Sequence, residues 1–341
     1  MESAICQMMF CFTFSRSFLL KMLLRQVLCP RDGDHSGFQF SISTLSNIDI
    51  LDMGINVCYD HSLPLLMHPF SDEVFTNPSK LENLQFNCLA FGQDLPCSIF
   101  SIKTLVVLKL KCVAFKVFSS VELPSLKTLH LNMVHVFKPH HLMELLNGCP
   151  NLETLKAKDI RFDFIDPSFK GKGKGNLKPL SKLVRADLSP WMMKRPGTYY
   201  IVEFVREFGH ADIPIFPNLI HFELILGGSV KMEVVLYLLN HCPQLQTFLL
   251  QNVCCLVNQA WQNTPVVPEC FSSQLQTCII TKFEGAKSEM TFAKFVMQNS
   301  TLLHTMTIFS FPKLSHEKKA EIRIELESCP KSSATCELLF K

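Results

Sequence analysis

The chain has 341 residues, 48% of them hydrophobic, which is enough to bury a large core and too apolar for a disordered chain. Lys and Arg number 33 against 30 Asp and Glu, and a net charge of +3 gives no global electrostatic case for nucleic acid or an anionic membrane as partner. Fifteen cysteines would suit a disulfide scaffold only in a short secreted chain; no Cys-x-x-Cys pair occurs and many cysteines fall on apolar positions, so they are expected to be reduced and structural.

From the N-terminus, Ala4 to Phe14 is apolar, but Glu2 stands where a signal peptide carries basic residues, and Arg16 and Lys21 break the apolar run on its C-terminal side. The run is also short of the ~20 residues of a membrane helix. Ser17 to Leu28 places Phe18, Leu19, Met22, Leu23 and Val27 at helical spacing, with Lys21 and Arg25 on the other side, and stops at Cys29-Pro30. This helix is expected to cap the first strand of the array. Between Phe38 and Phe100, Pro64, Pro69 and Pro78 mark loops rather than a long helix.

A pattern of apolar-x-x-apolar-x-apolar then recurs. Its copies are Leu81/Leu84/Phe86, Leu105/Leu108/Leu110, Leu126/Leu129/Leu131, Leu152/Leu155/Ala157, Leu183/Ala186/Leu188, Leu219/Phe222/Leu224, Leu245/Phe248/Leu250 and Leu275/Cys278/Ile280, flanked by weaker copies at Ile48/Leu51/Met53 and Leu303/Met306/Ile308. The first positions are 21 to 36 residues apart, which brackets the leucine-rich-repeat period. Up to Asn132 the connections are too short for full helices and should be turns or single helical turns.

His140 to Asn147 is the first convincing helix between strands, with Leu142, Leu145 and Leu146 inward and Gly148 at its end. The stretch Leu145-Leu146-Asn147-Gly148-Cys149-Pro150-Asn151-Leu152 returns as Leu238-Leu239-Asn240-His241-Cys242-Pro243-Gln244-Leu245. Each copy reads as a helix end, a Cys-Pro stop and a strand, because proline lacks the N–H that a helix needs and pushes its predecessor toward extended geometry. Lys170 to Asn176 alternates lysine and glycine and is expected to be an exposed loop; it has neither the Gly-x-Gly-x-x-Gly nor the Gly-Lys-Ser/Thr form of a phosphate-binding loop. Further helices are expected at Tyr199–Phe208 and Val230–Asn240. The expected fold is therefore α/β: a leucine-rich-repeat solenoid whose curved parallel β-sheet is backed by convex helices and turns.

From Trp261 the reading becomes specific. Trp261-Gln262-Asn263-Thr264-Pro265-Val266-Val267-Pro268-Glu269-Cys270-Phe271-Ser272-Ser273-Gln274-Leu275, followed by Phe283-Glu284-Gly285, resembles the opening of the FBD domain of plant F-box/LRR proteins. The rest of that domain is matched by a helix over Ser288 to Asn299, a strand over Leu303 to Phe309, Lys318-Lys319, Cys329-Pro330-Lys331-Ser332-Ser333 and a closing strand from Cys336 to Phe340. Ser315 to Cys329 alternates partly like a strand, but its charged run and Pro330 favour a helix with Ser315 as N-cap. Leu95-Pro96-Cys97-Ser98-Ile99-Phe100 and Leu123-Pro124-Ser125-Leu126-Lys127-Thr128-Leu129 are similar to the same family's leucine-rich-repeat core. Nothing in residues 1–42 matches the family's F-box, the part that docks on the adaptor of a cullin-based ubiquitin ligase. The resemblance implies three segments: 1–42, a cap helix and irregular segment without an F-box; 43–260, the repeats; and 261–341, an FBD module that continues and caps the solenoid.

No catalytic, cofactor-binding or metal-binding constellation emerges. His130, His135, His140 and His141 lack a carboxylate-flanked His-x-x-x-His spacing, and Glu203 and Glu207 read as the wet face of a helix. An enzyme is not expected, and the resemblance implies a protein-interaction module whose work is to hold a substrate protein near chemistry carried by other subunits. The strand residues between the buried ones face the concave side, and the candidate partner-binding residues there are Lys109, Lys111, His130, Asn132, Lys156, Lys158, Leu249 and Gln251, with Asp187, Glu223, Ile279 and Thr281 on the same side. Its basic rows would steer an acidic protein, and its apolar members would anchor it. The alternatives are that the lysines only keep the sheet soluble, or that the chain acts as a stand-alone scaffold or competitor or as a truncated product. The partners expected are an unknown protein, and the ligase adaptor once an F-box is present, with no nucleic acid, membrane or cofactor; the expected compartment is cytoplasmic or nuclear.

Overall fold

The structure, a computed structural model, describes residues 8–14, 49–57, 80–88, 93–115, 120–137, 139–162, 178–189, 214–226, 232–252 and 266–341. The expected helices Ser17–Leu28 and Tyr199–Phe208, the lysine-glycine loop and Trp261 lie outside them. The strands are β1 (Met8–Phe14), β2 (Ile50–Val57), β3 (Asn83–Cys88), β4 (Gln93–Asp94), β5 (Val107–Lys111), β6 (Val113–Phe115), β7 (Thr128–Asn132), β8 (His135–Val136), β9 (Thr154–Lys158), β10 (Arg161–Phe162), β11 (Arg185–Ser189), β12 (His221–Leu226), β13 (Thr247–Asn252), β14 (Thr277–Phe283), β15 (Thr305–Ser310) and β16 (Glu337–Phe340). The α-helices are α1 (Pro139–Asn147), α2 (Met232–Asn240), α3 (Glu269–Ser273), α4 (Lys287–Asn299) and α5 (His316–Glu327). Two compact units result, one of Met1–Leu152 with Ile160–Ile165 and one of Glu153–Asp159 with Asp166–Lys341.

In the first unit the order is β1-β2-β3-β5-β7, parallel except for β1, which runs antiparallel to β2. Met8–Phe14, part of the apolar N-terminal run, is thus a strand. Leu84 pairs with Leu108 and Leu108 with Leu129; Phe86 pairs with Leu110 and Leu110 with Leu131. All these side chains are buried, as are the preceding Leu81, Leu105 and Leu126, so the leucine pattern lines one wall of the core. Burying one such side chain stabilises by about 1.5–3 kcal/mol. Cys112 and Met133 come directly after β5 and β7 in the left-handed conformation, φ 57° and 55°, and turn the chain out of the sheet. The residues after them form β6 and β8, which join β4 and β10 in a second, four-stranded parallel sheet, β10-β8-β6-β4. Val113, Phe115, Val136 and Phe162 bury its inner side, with Phe100 of the short 3-10 helix Cys97–Ser101 edge-on to Phe115 at 5.7 Å. That single helical turn is what the short connections predict.

In the second unit β9-β11-β12-β13-β14-β15-β16 are parallel throughout. Leu155, Ala186, Phe222, Phe248, Cys278, Met306 and Leu338 succeed one another in register, and so do Ala157, Leu188, Leu224, Leu250, Ile280, Ile308 and Phe340. Lys282, φ 55°, sits where the pairing of β14 with β15 slips, so one bulge interrupts an otherwise regular ladder. α2, α3, α4 and α5 pack each on the next, and Phe292 of α4 meets Phe248 of β13 at 6.4 Å. The ambiguous segment after Ser315 is helical: the Ser315 hydroxyl accepts from Lys318 N at 3.2 Å, Ile322 and Leu326 are buried, and Ile324 is 67% exposed. A strand would have put Ile322 and Ile324 on the same side.

Two recurring polar contacts explain residues of the repeat that hydrophobicity does not. Cys149 Sγ donates to Leu145 O at 3.1 Å and Cys242 Sγ to Leu238 O at 3.3 Å, so the thiol before each proline serves a carbonyl of the last helical turn. Asn151 Nδ2 donates to Pro124 O, and Asn218 Nδ2 to Ser181 O, each at 2.6 Å. Each asparagine precedes a repeat leucine, and each acceptor lies two residues before the leucine of the preceding copy.

Candidate functional site

Alternation along each strand dictates the site: if the pattern leucines face the helices and second sheet, the residues between them share the opposite face. In the first unit that face carries Gln85, Lys109 and His130 in one registered row and Asn87, Lys111 and Asn132 in the next. Lys109 and Lys111 are exposed, whereas His130 and Asn132 are half-buried. Four of the candidate residues are therefore brought onto one patch with two solvated ammonium groups at its centre.

In the second unit the corresponding row reads Lys156, Asp187, Glu223, Leu249, Ile279, Thr307 and Leu339. It passes from charged to apolar across the sheet. Lys158 stands opposite Ser189, and Gln251 opposite Ile225 and Thr281, whose hydroxyl donates to Gln251 Oε1 at 3.3 Å. Leu249 and Ile279 are half-buried neighbours, so the apolar members form a continuous patch rather than isolated residues.

Asp187 departs from the expectation of a solvated face residue: it is 1% exposed. Lys156 Nζ lies 3.4 Å from its Oδ2, and Arg185 Nε lies 3.2 Å from its Oδ1. The ammonium of Lys156 is thus partly neutralised inside the protein, so in this unit the row is less basic than its lysines suggest. His221, beside Arg185 in the next strand, has its pKa lowered by burial first and by the Arg185 charge second, which keeps the imidazole neutral at pH 7. Among the described residues, the grouping of three side chains able to hold a metal ion is Asp187, His221 and Glu223, whose ligand atoms lie within 4.8 Å of one another. The histidines 130, 135, 140 and 141 do not form such a group among the described residues. The in-phase copies already set Asp187 and Glu223 on one side, 36 residues apart along the chain; the missing member is His221, which the same alternation carried back two residues from Glu223 adds.

Cys97, Cys112, Cys149, Cys242, Cys270, Cys278, Cys329 and Cys336 are free, and all of these but the half-buried Cys97 are buried. Burial pushes the thiols of Cys149, Cys270 and Cys278 up to about 12, so they remain protonated and poorly nucleophilic. Among the described residues no helix is long and apolar enough to cross a membrane.

Two family models match the chain: FBD over residues 263–308, and the LRR repeats of the FBD-associated F-box protein At5g56370 over residues 77–166. Similar proteins of Arabidopsis thaliana include the putative F-box/FBD/LRR-repeat protein At4g13965, 26% identical with 95% of this chain and 89% of the relative aligned. The FBD-associated F-box protein At4g10400 is 29% identical over 72% of this chain and 70% of its own length. The F-box/FBD/LRR-repeat protein At5g56420 is 24% identical over 72% and 71%. This homology supports a protein-interaction module in a non-enzymatic role. Through its FBD and leucine-rich-repeat segments, the chain is similar to the plant F-box/FBD/LRR-repeat proteins.

Proposed function

We propose that the chain recognises a protein partner on the open face of its parallel strands, with Lys109, Lys111, His130, Asn132, Lys156, Lys158, Leu249 and Gln251 as contacts. The observation that carries this reading is the register of Lys109 with His130 and of Lys111 with Asn132, which leaves two exposed cations together on a face that the pattern leucines do not use. Exposed ammonium groups draw in an acidic partner, and the half-buried Leu249 and Ile279 supply apolar contact in the second unit. In this reading residues 1–42 precede a repeat segment over 43–260, and an FBD module over 261–341 caps it. Substrate recognition for a ubiquitin ligase, in the cytoplasm or nucleus, is the role proposed, with docking to the ligase adaptor supplied by an F-box.

The test is affinity capture from plant extract with the wild-type chain and with a Lys109→Glu/Lys111→Glu variant. Proteins held by the first and lost by the second, at unchanged thermal stability, support the reading. An identical capture set from both contradicts it. Ubiquitination of a captured partner once an F-box is joined to the chain separates ligase substrate recognition from a stand-alone scaffold or competitor, which would hold the same partners without that outcome.

A further inference from the structure

Asp187, His221 and Glu223 come from two adjacent parallel strands. Asp187 and Glu223 are register partners on β11 and β12, and His221 lies two residues before Glu223, so all three project from the same face. The two oxygens of Asp187 are treated differently. Oδ2 receives Arg185 Nε at 3.4 Å and Nη2 at 3.5 Å, with Lys156 Nζ at 3.4 Å. Oδ1 is buried and accepts no hydrogen bond: Arg185 Nε is ion-paired with it at 3.2 Å but directs its N–H at Oδ2. His221 Nε2 is likewise a buried atom with no hydrogen-bond partner. Two buried polar atoms that make no hydrogen bond are unfavourable unless something fills the gap between them.

We propose that this face holds a divalent cation of the zinc type, bound by Asp187 Oδ1, His221 and a carboxylate oxygen of Glu223. One neutral imidazole and two carboxylates are a donor set that Zn2+ takes, with bonds of about 2.0–2.2 Å. Ligand atoms around such an ion are roughly 3.4 Å apart, so the side chains of half-buried His221 and Glu223 must close inward from their 4.8 Å spread while buried Asp187 stays fixed. Arg185, within reach of both oxygens, and Lys156, at Oδ2, fix the orientation of the Asp187 carboxylate, as groups around metal ligands do. Their charges also offset those of Asp187 and Glu223, so binding is weaker than at an all-anionic site and the ion exchanges with solvent. Three protein ligands leave a fourth position directed out of the open face, where water or a side chain of a docked protein can enter.

The experiment uses the full chain, reduced and stripped with a chelator, and titrates it with Zn2+ by calorimetry and with Co2+ by visible absorption. The expected result is one binding event with a rise in Tm, weakened at least tenfold by His221→Gln, by Glu223→Gln and by Asp187→Asn. The Co2+ form should show ligand-field bands without thiolate charge transfer. Because Asp187 is buried, the two half-buried variants decide the matter if Asp187→Asn unfolds. The proposal is overturned if the wild type binds no Zn2+, if His221→Gln and Glu223→Gln bind it within twofold of wild type, or if a thiolate band shows the metal at cysteine.

Discussion

Gly285 and Ile322 share a space that admits only one side chain. Gly285 is in the left-handed conformation, φ +75°, and a Cβ built there would lie 2.4 Å from Ile322 Cδ1 and 2.7 Å from its Cγ1. Ile322 is 2% exposed on the inner side of α5, so the Phe283-Glu284-Gly285 motif is the seat on which the last helix rests. Gly285→Ala should destabilise the chain by about 1–2 kcal/mol from the backbone alone, with a further loss from moving Ile322. In Gly285→Ala/Ile322→Ala the two losses should be less than additive, because the space is then vacated. Denaturant unfolding of the three variants checks this; strict additivity would show that the two residues do not compete.

The lysines of the open face divide into two kinds. Lys109 and Lys111 are exposed, so reversing both should change stability by no more than about 0.5 kcal/mol. Lys156→Glu instead sets a third carboxylate beside buried Asp187 and should cost roughly 1–3 kcal/mol, an amount tempered by the partial exposure of Lys156. Thermal melts of the two variants at equal ionic strength make the comparison. Equal Tm values would mean that Arg185 alone holds Asp187.

Leu129 is 0% exposed and stands between strands in the first unit, paired with Leu108. Leu129→Asp places an unpaired charge among stacked leucines and should cost more than about 3 kcal/mol. Circular dichroism and urea unfolding should show loss of cooperative structure, whereas Lys127→Asp, on an exposed side chain of the same connection, should leave the fold intact.

The buried thiols give a pH dependence whose sign is set by their raised pKa. Below the unfolded value, near 9, the thiols are protonated in both states and their burial is undisturbed. Between that value and about 12 the unfolded chain loses these protons while the folded chain keeps them, so stability falls as pH rises. Chemical denaturation at pH 8 and pH 10 should show the decline. Native alkylation at pH 8 should spare Cys149 and Cys278 relative to the urea-unfolded chain.

Much of this fold is legible in the sequence because a single period controls it. Leu84, Leu108 and Leu129 fall into register as the apolar spacing requires, and the Cys-Pro stops end α1 and α2 where proline must end them. The surroundings of Asp187 are less legible, because alternation specifies which side of a strand a residue faces and not what covers it. Asp187 faces the expected way but is enclosed by Lys156 and Arg185, which only the lateral pairing of β9, β11 and β12 brings together. The helical turn α3 is also hidden in the sequence, since five residues are too few to display a period. Gly148 reads as a helix end, and the structure adds a steric reason: a Cβ there would lie 2.6 Å from Val121 O.

Docking of a protein partner on the open face of the strands, rather than on the helical side, is checked by the affinity of one captured partner for Lys109→Glu/Lys111→Glu and for Lys318→Glu/Lys319→Glu, the latter pair on α5. The first variant should lose at least tenfold in affinity and the second should stay within twofold of wild type; the reverse order would place the partner on the helical side.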